Sequence, residues 1–292
     1  MRELRSQSAM EYLMTYGWAI LIIAVVLAVL FQLGVFSGGN FLPHAQAGAC
    51  QVSRTIAGAS LEGQCNGMLP QFVAFFNGGA GITTGSSSYL PTSDNPRTIT
   101  AWVKSTVADG NGAIAGWGTP YTAQVSNDAS YITECSNGEI CWWGSSDDIY
   151  DSASVIPNNS WVFVAGEYPV GVTTSGEVWL GNANDITGLN GGTPLNTPPA
   201  MPANVLNIGW AGWPGSFTGY IANVQVYNTT LSQSEIQTLY LEGIGGAPIR
   251  PQNLVGWWPL NGNANDYSGN NNNGQLNSVT FSSSWESGYA AP

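Results

Sequence analysis

The chain has 292 residues, only 8% of which are charged, and its formal net charge is −12. This length allows one large domain or two ordinary ones. The chain contains only six Lys and Arg residues, too few for the basic patch that phosphate binding needs, and this excludes nucleic acid as a partner.

The N-terminal region contains a long apolar segment. No charged residue lies between Glu11 and Arg54, and Trp18–Phe36 is apolar on every face. A helix of about 20 such residues is long enough to cross the ~30 Å hydrocarbon layer of a membrane. Arg2 and Arg5 precede the segment, which predicts a cytoplasmic N-terminus and an exterior location for the rest of the chain.

The residues at the start of this segment, RSQSAMEYLMTYGWAI, resemble the class III signal of archaeal type IV pilin-like proteins. The resemblance implies a leader of residues 1–6 that a prepilin-type peptidase removes between Ser6 and Gln7. Glu11 then occupies the fifth mature position, where it is implied to pair with the free α-amino group of Gln7 in a neighbouring copy. Ala9 departs from the family pattern, because Ser is usual at that position.

The mature helix, residues 7–36, is implied to enter the membrane first and then to pack against copies of itself in an extracellular filament. The alternatives are a secretory signal peptide cut near Ala45–Ala49, a simple membrane anchor with Glu11 at the headgroups, and a short surface assembly. We therefore expect the chain at the cell surface, as a membrane-inserted precursor and then as a filament subunit or an anchored ectodomain.

Residues 37–69 are predicted to form a linker, because they are rich in Gly, Ala and Ser and show no sustained period. The spacing of the four cysteines favours two disulfides, Cys50–Cys65 in the linker and Cys135–Cys141 across a tight hairpin. The lack of a CxxC pair and the presence of a single histidine argue against a zinc site. Disulfides indicate an oxidising, extracellular location, and four buried free thiols are the alternative.

Residues 70–292 change to short β-rich runs separated by Gly, Pro, Asn and Ser. The clearest runs are Arg97–Ser105, Ser160–Tyr168, Gly176–Asn182 and Ser216–Asn228. Many short strands at regular spacing predict an antiparallel β-sandwich or jelly roll, so the fold class is mainly β with one long N-terminal helix. One short helix is predicted over Leu231–Gly243, with a serine at its N-cap.

Three segments of this region resemble laminin G-like, concanavalin A-like jelly-roll domains. GYIANVQVYNTTLSQSEIQTLYLEG is similar to their closing hairpin and short helix, TITAWVKS to an early core strand, and LVGWWPLNGNANDYSGNNNNG to their first strand and loop. In the family the last of these segments comes first, so the resemblance implies a circular permutation in which residues 253–292 supply the first strand. Permutation is permissible because domain termini are usually close together.

The permuted C-terminal segment is expected to complete its own domain. Two alternatives remain open. It could complete the sandwich of the next subunit by strand addition, or it could be the truncated start of a second domain, although about forty residues cannot bury a core alone.

Many laminin G-like domains carry calcium, so the resemblance implies a candidate calcium site. Calcium takes six to eight oxygen ligands, several from carboxylates. The candidate ligands are Asn77, Asn263, Asn265, Asp266 and Asn270. Only one of them is acidic, and the alternative is an Asn- and Gly-rich turn shaped by bonds between side chains and the backbone.

The chain has twelve tryptophans, and two loop-like segments, CWWGSSDD and GWAGWPG, contain several of them. An exposed aromatic ring beside acids could stack on a sugar and accept bonds from its hydroxyls. The predicted glycan contacts are Trp143, Asp147, Asp148, Trp210 and Trp213, and core packing is the alternative for the tryptophans. Asn158 and Asn228 also begin N-glycosylation sequons.

Catalysis is not expected. A glycosidase needs two carboxyl groups about 5–10 Å apart, and along single predicted strands Glu134, Glu139, Glu167 and Glu177 are isolated by their spacing. The sequence therefore predicts a non-enzymatic, pilin-like surface protein whose sandwich binds glycans or surface proteins. The rival hypotheses are a purely structural filament subunit and a single-pass membrane-anchored receptor.

Overall fold

The computed structural model describes most of the β-rich region and the N-terminal helix. The described residues are 4–32, 44–45, 69–85, 88–93, 95–107, 110–118, 129–143, 149–169, 176–182, 184–189, 205–210 and 215–292, with the side chains of 4–13, 15, 30–32, 44–45, 149–154 and 188–189 left outside the description. The chain divides into two compact units, Met1–Leu42 and Pro43–Pro292.

The first unit contains one helix, α1 (Leu4–Gln32), which runs without a break through the predicted cleavage point. All the described side chains from Tyr16 to Val29 are exposed. The membrane-spanning helix expected over Trp18–Phe36 is not found, since no helix in the described part of the chain is long and apolar enough to cross a bilayer. The side chains of Ser6, Gln7 and Glu11 lie outside the described residues.

The second unit is built from strands and one further helix, α2 (Gln233–Leu241). The strands are β1 His44–Ala45, β2 Leu69–Pro70, β3 Val73–Asn77, β4 Gly81–Thr84, β5 Arg97–Ser105, β6 Gly112–Gly118, β7 Ala129–Glu134, β8 Glu139–Trp143, β9 Ile149–Val155, β10 Val162–Tyr168, β11 Glu177–Gly181, β12 Ile186–Leu189, β13 Leu206–Ile208, β14 Thr218–Tyr227, β15 Leu254–Trp258, β16 Gly274–Asn277 and β17 Thr280–Ser282. A short 3₁₀ turn covers Ser136–Gly138.

Two antiparallel sheets form a sandwich, as the sequence predicted. The first sheet has eight strands in the order β12-β11-β10-β5-β14-β3-β17, and β15 also pairs with β14. The second sheet has seven strands in the order β16-β4-β13-β6-β7-β8-β9. Alternate residues of facing strands fill the space between the sheets, and this inner core includes Ile99, Trp117, Trp142 and Trp258.

A second apolar layer covers the outer face of the eight-stranded sheet. It contains Trp102, Phe163 and Trp179 from the strands, with Ile236 and Tyr240 from α2. As a result all nine residues of β5 are buried, including its polar positions. The helix begins after Ser232, whose backbone N–H donates to the Glu235 carboxylate at 2.8 Å.

The inner core and the outer apolar layer together explain how two adjacent tryptophans can both be buried. Adjacent strand residues point to opposite faces, so a sandwich with a single core would bury only one member of each pair. In the structure Trp258 lies in the inner core and Trp257 in the outer layer, and both are buried. Trp142 is likewise in the inner core, whereas Trp143 points to the outer face of the seven-stranded sheet.

The C-terminal segment pairs within its own chain. Strand β15 adds to β14, β16 to β4 and β17 to β3, so the segment contributes to both sheets. After β17 the fully buried Trp285 donates its indole N–H to the carbonyl oxygen of Pro70 at 3.1 Å. The last residues of the chain therefore pack against the first residues of the sandwich.

The hairpin disulfide is present as the cysteine spacing predicted. Cys135 and Cys141 flank the 3₁₀ turn between β7 and β8, and their Cα atoms are 6.0 Å apart. The other predicted pair, Cys50 and Cys65, lies outside the described residues.

Candidate carbohydrate-binding face

One row of side chains crosses the outer face of the seven-stranded sheet. Residues that face each other on antiparallel strands point to the same side of the sheet, so the strand register defines this row. Its members in strand order are Gln275, Thr83, Asn207, Gly116, Tyr131 and Trp143. The row combines residues of β4, β6, β7, β8 and β13 with Gln275 of the C-terminal segment. These residues are far apart in sequence.

A chain of hydrogen bonds orders the middle of the row. The Thr83 hydroxyl donates to Asn207 Oδ1 at 3.1 Å, and Asn207 Nδ2 donates to the Tyr131 hydroxyl oxygen at 3.1 Å. Tyr131 reaches Asn207 by lying across Gly116, where a Cβ atom would be 2.4 Å from the Tyr131 ring. Glycine is therefore required at position 116 for this arrangement.

Exposure increases along the row from one end to the other. Trp143 and Tyr131 are buried, with their ring centroids 6.0 Å apart. Asn207 is buried as well, whereas Thr83 is half-buried and Gln275 is exposed. A ligand from solvent can therefore reach the β4–β16 end of the row.

An exposed tryptophan lies beside this accessible end. Trp210 is 41% exposed, and a Cβ atom on Gly81 would be only 2.7 Å from the Trp210 Cβ. Gly81 faces the same side of β4 as Thr83, and the exposed Asn277 is its partner on β16. We call the set Thr83, Trp210, Gln275 and Asn277 the platform.

The platform offers an apolar ring flanked by uncharged hydrogen-bonding groups. The amides of Gln275 and Asn277 can each donate and accept, and the Thr83 oxygen keeps acceptor capacity while it donates to Asn207. This combination suits a ligand that has both an apolar face and several hydroxyl groups, which is the chemistry of a sugar ring.

The predicted glycan contacts fall into three groups. Trp210 belongs to the platform, while Trp143 is only 8% exposed and lies at the buried end of the row. Asp147, Asp148 and Trp213 lie outside the described residues. Sequence reasoning missed Thr83, Asn207, Tyr131, Gln275 and Asn277, because only the strand register brings them together.

The candidate calcium residues of the C-terminal loop are engaged in backbone contacts. Asp266 accepts N–H bonds from Trp257, Ser268 and Asn272 at 2.8–3.0 Å. The Asn270 amide donates to the carbonyl oxygens of Leu254 and Val255. These bonds fasten the loop to β15, which is the role described by the turn alternative.

The remaining calcium candidates make similar local bonds. Asn263 Oδ1 accepts the N–H of Asn265 at 2.9 Å, and Asn77 Oδ1 accepts the N–H of Gly79 at 3.2 Å. In the described part of the chain no group of three or more His, Cys, Asp or Glu side chains is placed to hold a metal ion.

Two glutamates that are separate in sequence meet across strands. Glu167 on β10 faces Glu177 on β11 and lies on the outer side of the eight-stranded sheet. The interpretation of these residues as isolated was wrong, because it considered spacing along single strands only. Glu167 is 5% exposed, and burial, followed by the charges of Glu177 and Glu235, raises its pKa to about 8. Glu177 is half-buried.

Both predicted glycosylation asparagines are exposed. Asn158 lies in the turn before β10, and Asn228 follows β14. Asn228 Oδ1 accepts a bond from Asn253 Nδ2 at 2.9 Å. Attachment of a sugar at either position stays a prediction.

Comparison with known proteins gives one family match. A laminin G family model described as the concanavalin A-like lectin/glucanases superfamily matches residues 76–237. No curated protein matches the chain at a significant level.

The first of three similar solved structures shares the fold. A proposed carbohydrate-binding protein from Bacteroides ovatus ATCC 8483 is 15% identical with a TM-score of 0.51, and the match covers 73% of this chain and 60% of that protein. Domain 4 of the extracellular arabinanase AbnA from Geobacillus stearothermophilus, in complex with arabinotriose, is 20% identical with a TM-score of 0.42, covering 57% of this chain and 75% of that chain. The SAP-like pentraxin of Limulus polyphemus is 15% identical with a TM-score of 0.45, covering 72% and 94%.

Proposed function

This chain belongs to the concanavalin A-like lectin/glucanases superfamily, and we propose that it is a non-enzymatic surface protein whose sandwich binds glycans at the platform. The observation that carries the proposal is the position of Trp210. Its exposed ring lies beside Gly81 on the sheet face that also presents Thr83, Gln275 and Asn277. The carbohydrate-binding description of the protein from Bacteroides ovatus agrees with this choice of ligand.

The ordered row behind the platform supports a binding role. Bonds from Thr83 through Asn207 to Tyr131 hold Thr83 in one orientation before a ligand arrives. Side chains that are already fixed lose less conformational entropy on binding, which favours affinity.

The N-terminal unit supplies the second part of the proposal. From Tyr16 to Val29 helix α1 carries only apolar, aromatic and glycine residues, and all of them are exposed. Copies of the same helix are the partner that would cover this surface. We propose an archaeal pilin-like subunit that is held at the membrane, cleaved by a prepilin-type peptidase between Ser6 and Gln7, and assembled on the cell surface.

The circular permutation belongs to the same proposal. Trp285 donates to Pro70, so the chain end and the start of the sandwich lie together, as a permuted domain requires. Strands β16 and β17 pair with β4 and β3 of the same chain, so one subunit can form its sandwich without a strand from a neighbour. This arrangement favours completion of its own domain over strand addition to a neighbour.

Binding of the full-length protein, solubilised in detergent, to an array of immobilised glycans tests the proposal. Trp210→Ala should weaken binding about five- to thirtyfold, because removal of a central aromatic contact commonly costs about 1–2 kcal/mol. Trp210→Tyr should retain part of the affinity. Leu241→Ala is the control, since Leu241 is also an exposed apolar side chain but lies on α2 at the other sheet. Absence of glycan binding would favour the purely structural subunit.

A further inference from the structure

We infer that the platform selects uncharged glycans and rejects sulfated or uronate-rich ones. The inference rests on the proposed glycan-binding function and concerns the ligand class of the same site. It comes from the distribution of positive charge in the sandwich, residues 70–292, which contains only three Lys and Arg residues and no His.

No positive side chain belongs to the platform or to its sheet. Positions 105–249 contain no Lys, Arg or His and twelve acidic residues, and positions 251–292 contain no Lys, Arg or His either. Positions 55–96 also lack all three residue types. Consequently none of the seven strands of this sheet, and none of the connections between β6 and β13, carries a cation.

The three cations of the sandwich are committed elsewhere. The Arg97 side chain is fully buried, donates to the carbonyl oxygen of Ser93 at 2.8 Å and stacks 4.2 Å above the Tyr168 ring. Lys104 donates to the carbonyl oxygen of Ser287 at 2.7 Å, on the outer side of the eight-stranded sheet.

The third cation, Arg250, forms an ion pair with Glu235 at α2. Helix α2 packs on the eight-stranded sheet, which lies on the opposite side of the sandwich from the platform. None of these cations can therefore meet a sulfate or carboxylate bound at the platform.

An anionic glycan would be penalised in two ways. A sulfate or carboxylate brought onto the platform loses water and gains only uncharged partners, so its desolvation is not compensated by an ion pair. The net charge of −12 also repels an anionic polymer before contact, and this repulsion is strongest at low salt. A neutral sugar meets neither penalty, because an aromatic ring and amides satisfy its apolar face and hydroxyl groups.

Paired polysaccharides test the inference. The full-length protein is titrated with neutral polymers and with the sulfated form of each one, for example dextran and dextran sulfate, at 20 and 200 mM salt. We expect the sulfated form of any bound neutral polymer to bind at least tenfold more weakly at low salt. We also expect neutral binding to change less than twofold between the two salt concentrations, since no counterions are released.

The outcomes separate this inference from the proposed function. If a sulfated form binds as tightly as its neutral parent or more tightly, and Trp210→Ala abolishes that binding, the selection of uncharged glycans is wrong and the platform remains a glycan site. If the protein binds neither a neutral nor a sulfated polymer in the panel, the proposed function fails and this inference fails with it.

Discussion

Lys104 on β5 donates a 2.7 Å hydrogen bond from its ammonium to the carbonyl oxygen of Ser287, five residues before Pro292. The same nitrogen lies 3.4 Å from the carbonyl oxygen of Trp285 and 4.9 Å from the centroid of the Tyr220 ring. Burial lowers the pKa of Lys104, and the nearby Glu286 partly offsets that effect. A buried cation thus fastens the C-terminal segment to the centre of the eight-stranded sheet.

Replacing this cation should loosen the C-terminal segment. Lys104→Met keeps the length of the side chain but leaves the two carbonyl oxygens without their charged donor, which typically costs about 1–3 kcal/mol. Denaturant unfolding measures the loss. Ser287→Ala is the matched control, because it retains the carbonyl oxygen and should change stability by less than about 0.5 kcal/mol. Equal stability of Lys104→Met and the parent would show that the bond contributes nothing.

Trp285 should be the largest single contributor among the last ten residues. Its ring is fully buried, packs edge-on against Trp161 at 5.8 Å, and donates to Pro70. Trp285→Ala should reduce the free energy of unfolding by about 3–5 kcal/mol, the usual range for a buried tryptophan. Trp210→Ala removes the same side chain type from an exposed position and should cost under about 1 kcal/mol. Similar losses in both variants would contradict the packing described for the C-terminal segment.

The raised pKa of Glu167 predicts that the free energy of unfolding decreases as the pH rises from acid to mildly alkaline values. Its pKa is about 8 in the folded protein and near 4.3 when unfolded, so the folded state binds more protons between these values. The stabilisation is complete below about pH 4 and is lost as pH rises towards 8, by an amount on the order of a few kcal/mol.

Glu167→Gln should remove this part of the pH dependence and make the protein more stable than the parent above pH 8. Unfolding in denaturant at several pH values between 4 and 9 measures the difference between the two proteins. Glu139→Gln removes a carboxylate at the start of β8 and serves as the control for lost charge. Parallel pH profiles for the parent and Glu167→Gln would show that Glu167 ionises normally.

The proposed removal of the N-terminal leader predicts the mass of the native protein. Cleavage between Ser6 and Gln7 would leave a chain that begins at Gln7, and mass spectrometry of protein from native cell surfaces would detect this end. Glu11→Gln should still be cleaved but should assemble poorly, because the implied pair with the α-amino group is lost. A native chain that begins at Met1 or near Ala49 would contradict pilin-like processing.

Much of the sandwich follows from local patterns in the sequence. The run Arg97–Ser105 was predicted as a strand, and its alternate residues Ile99, Ala101 and Val103 all lie in the inner core. The short helix was predicted over Leu231–Gly243 with a serine at its N-cap, and it is present over Gln233–Leu241. These features depend on residues close together in the chain, so their periodicity reveals them.

The platform and the glutamate pair depend on contacts that the sequence pattern does not encode. Thr83 and Asn207 are 124 positions apart, and Gln275 reaches them only through the pairing of β16 with β4. A shift of one residue in this register would turn Gln275 to the other face of the sheet. Trp210 was predicted from the composition of its loop, but its neighbours on the platform can be identified only from the strand register. The same is true of the pairing of Glu167 with Glu177.

Hydrogen–deuterium exchange with and without a bound neutral glycan tests the glycan platform most directly. The account predicts slower exchange in β4 (Gly81–Thr84), β16 (Gly274–Asn277) and the peptide containing Trp210, with no change in α2 (Gln233–Leu241). Protection confined to the Asn263–Asn270 loop or to the α2 side of the sandwich, with β4 and β16 unchanged, would contradict it.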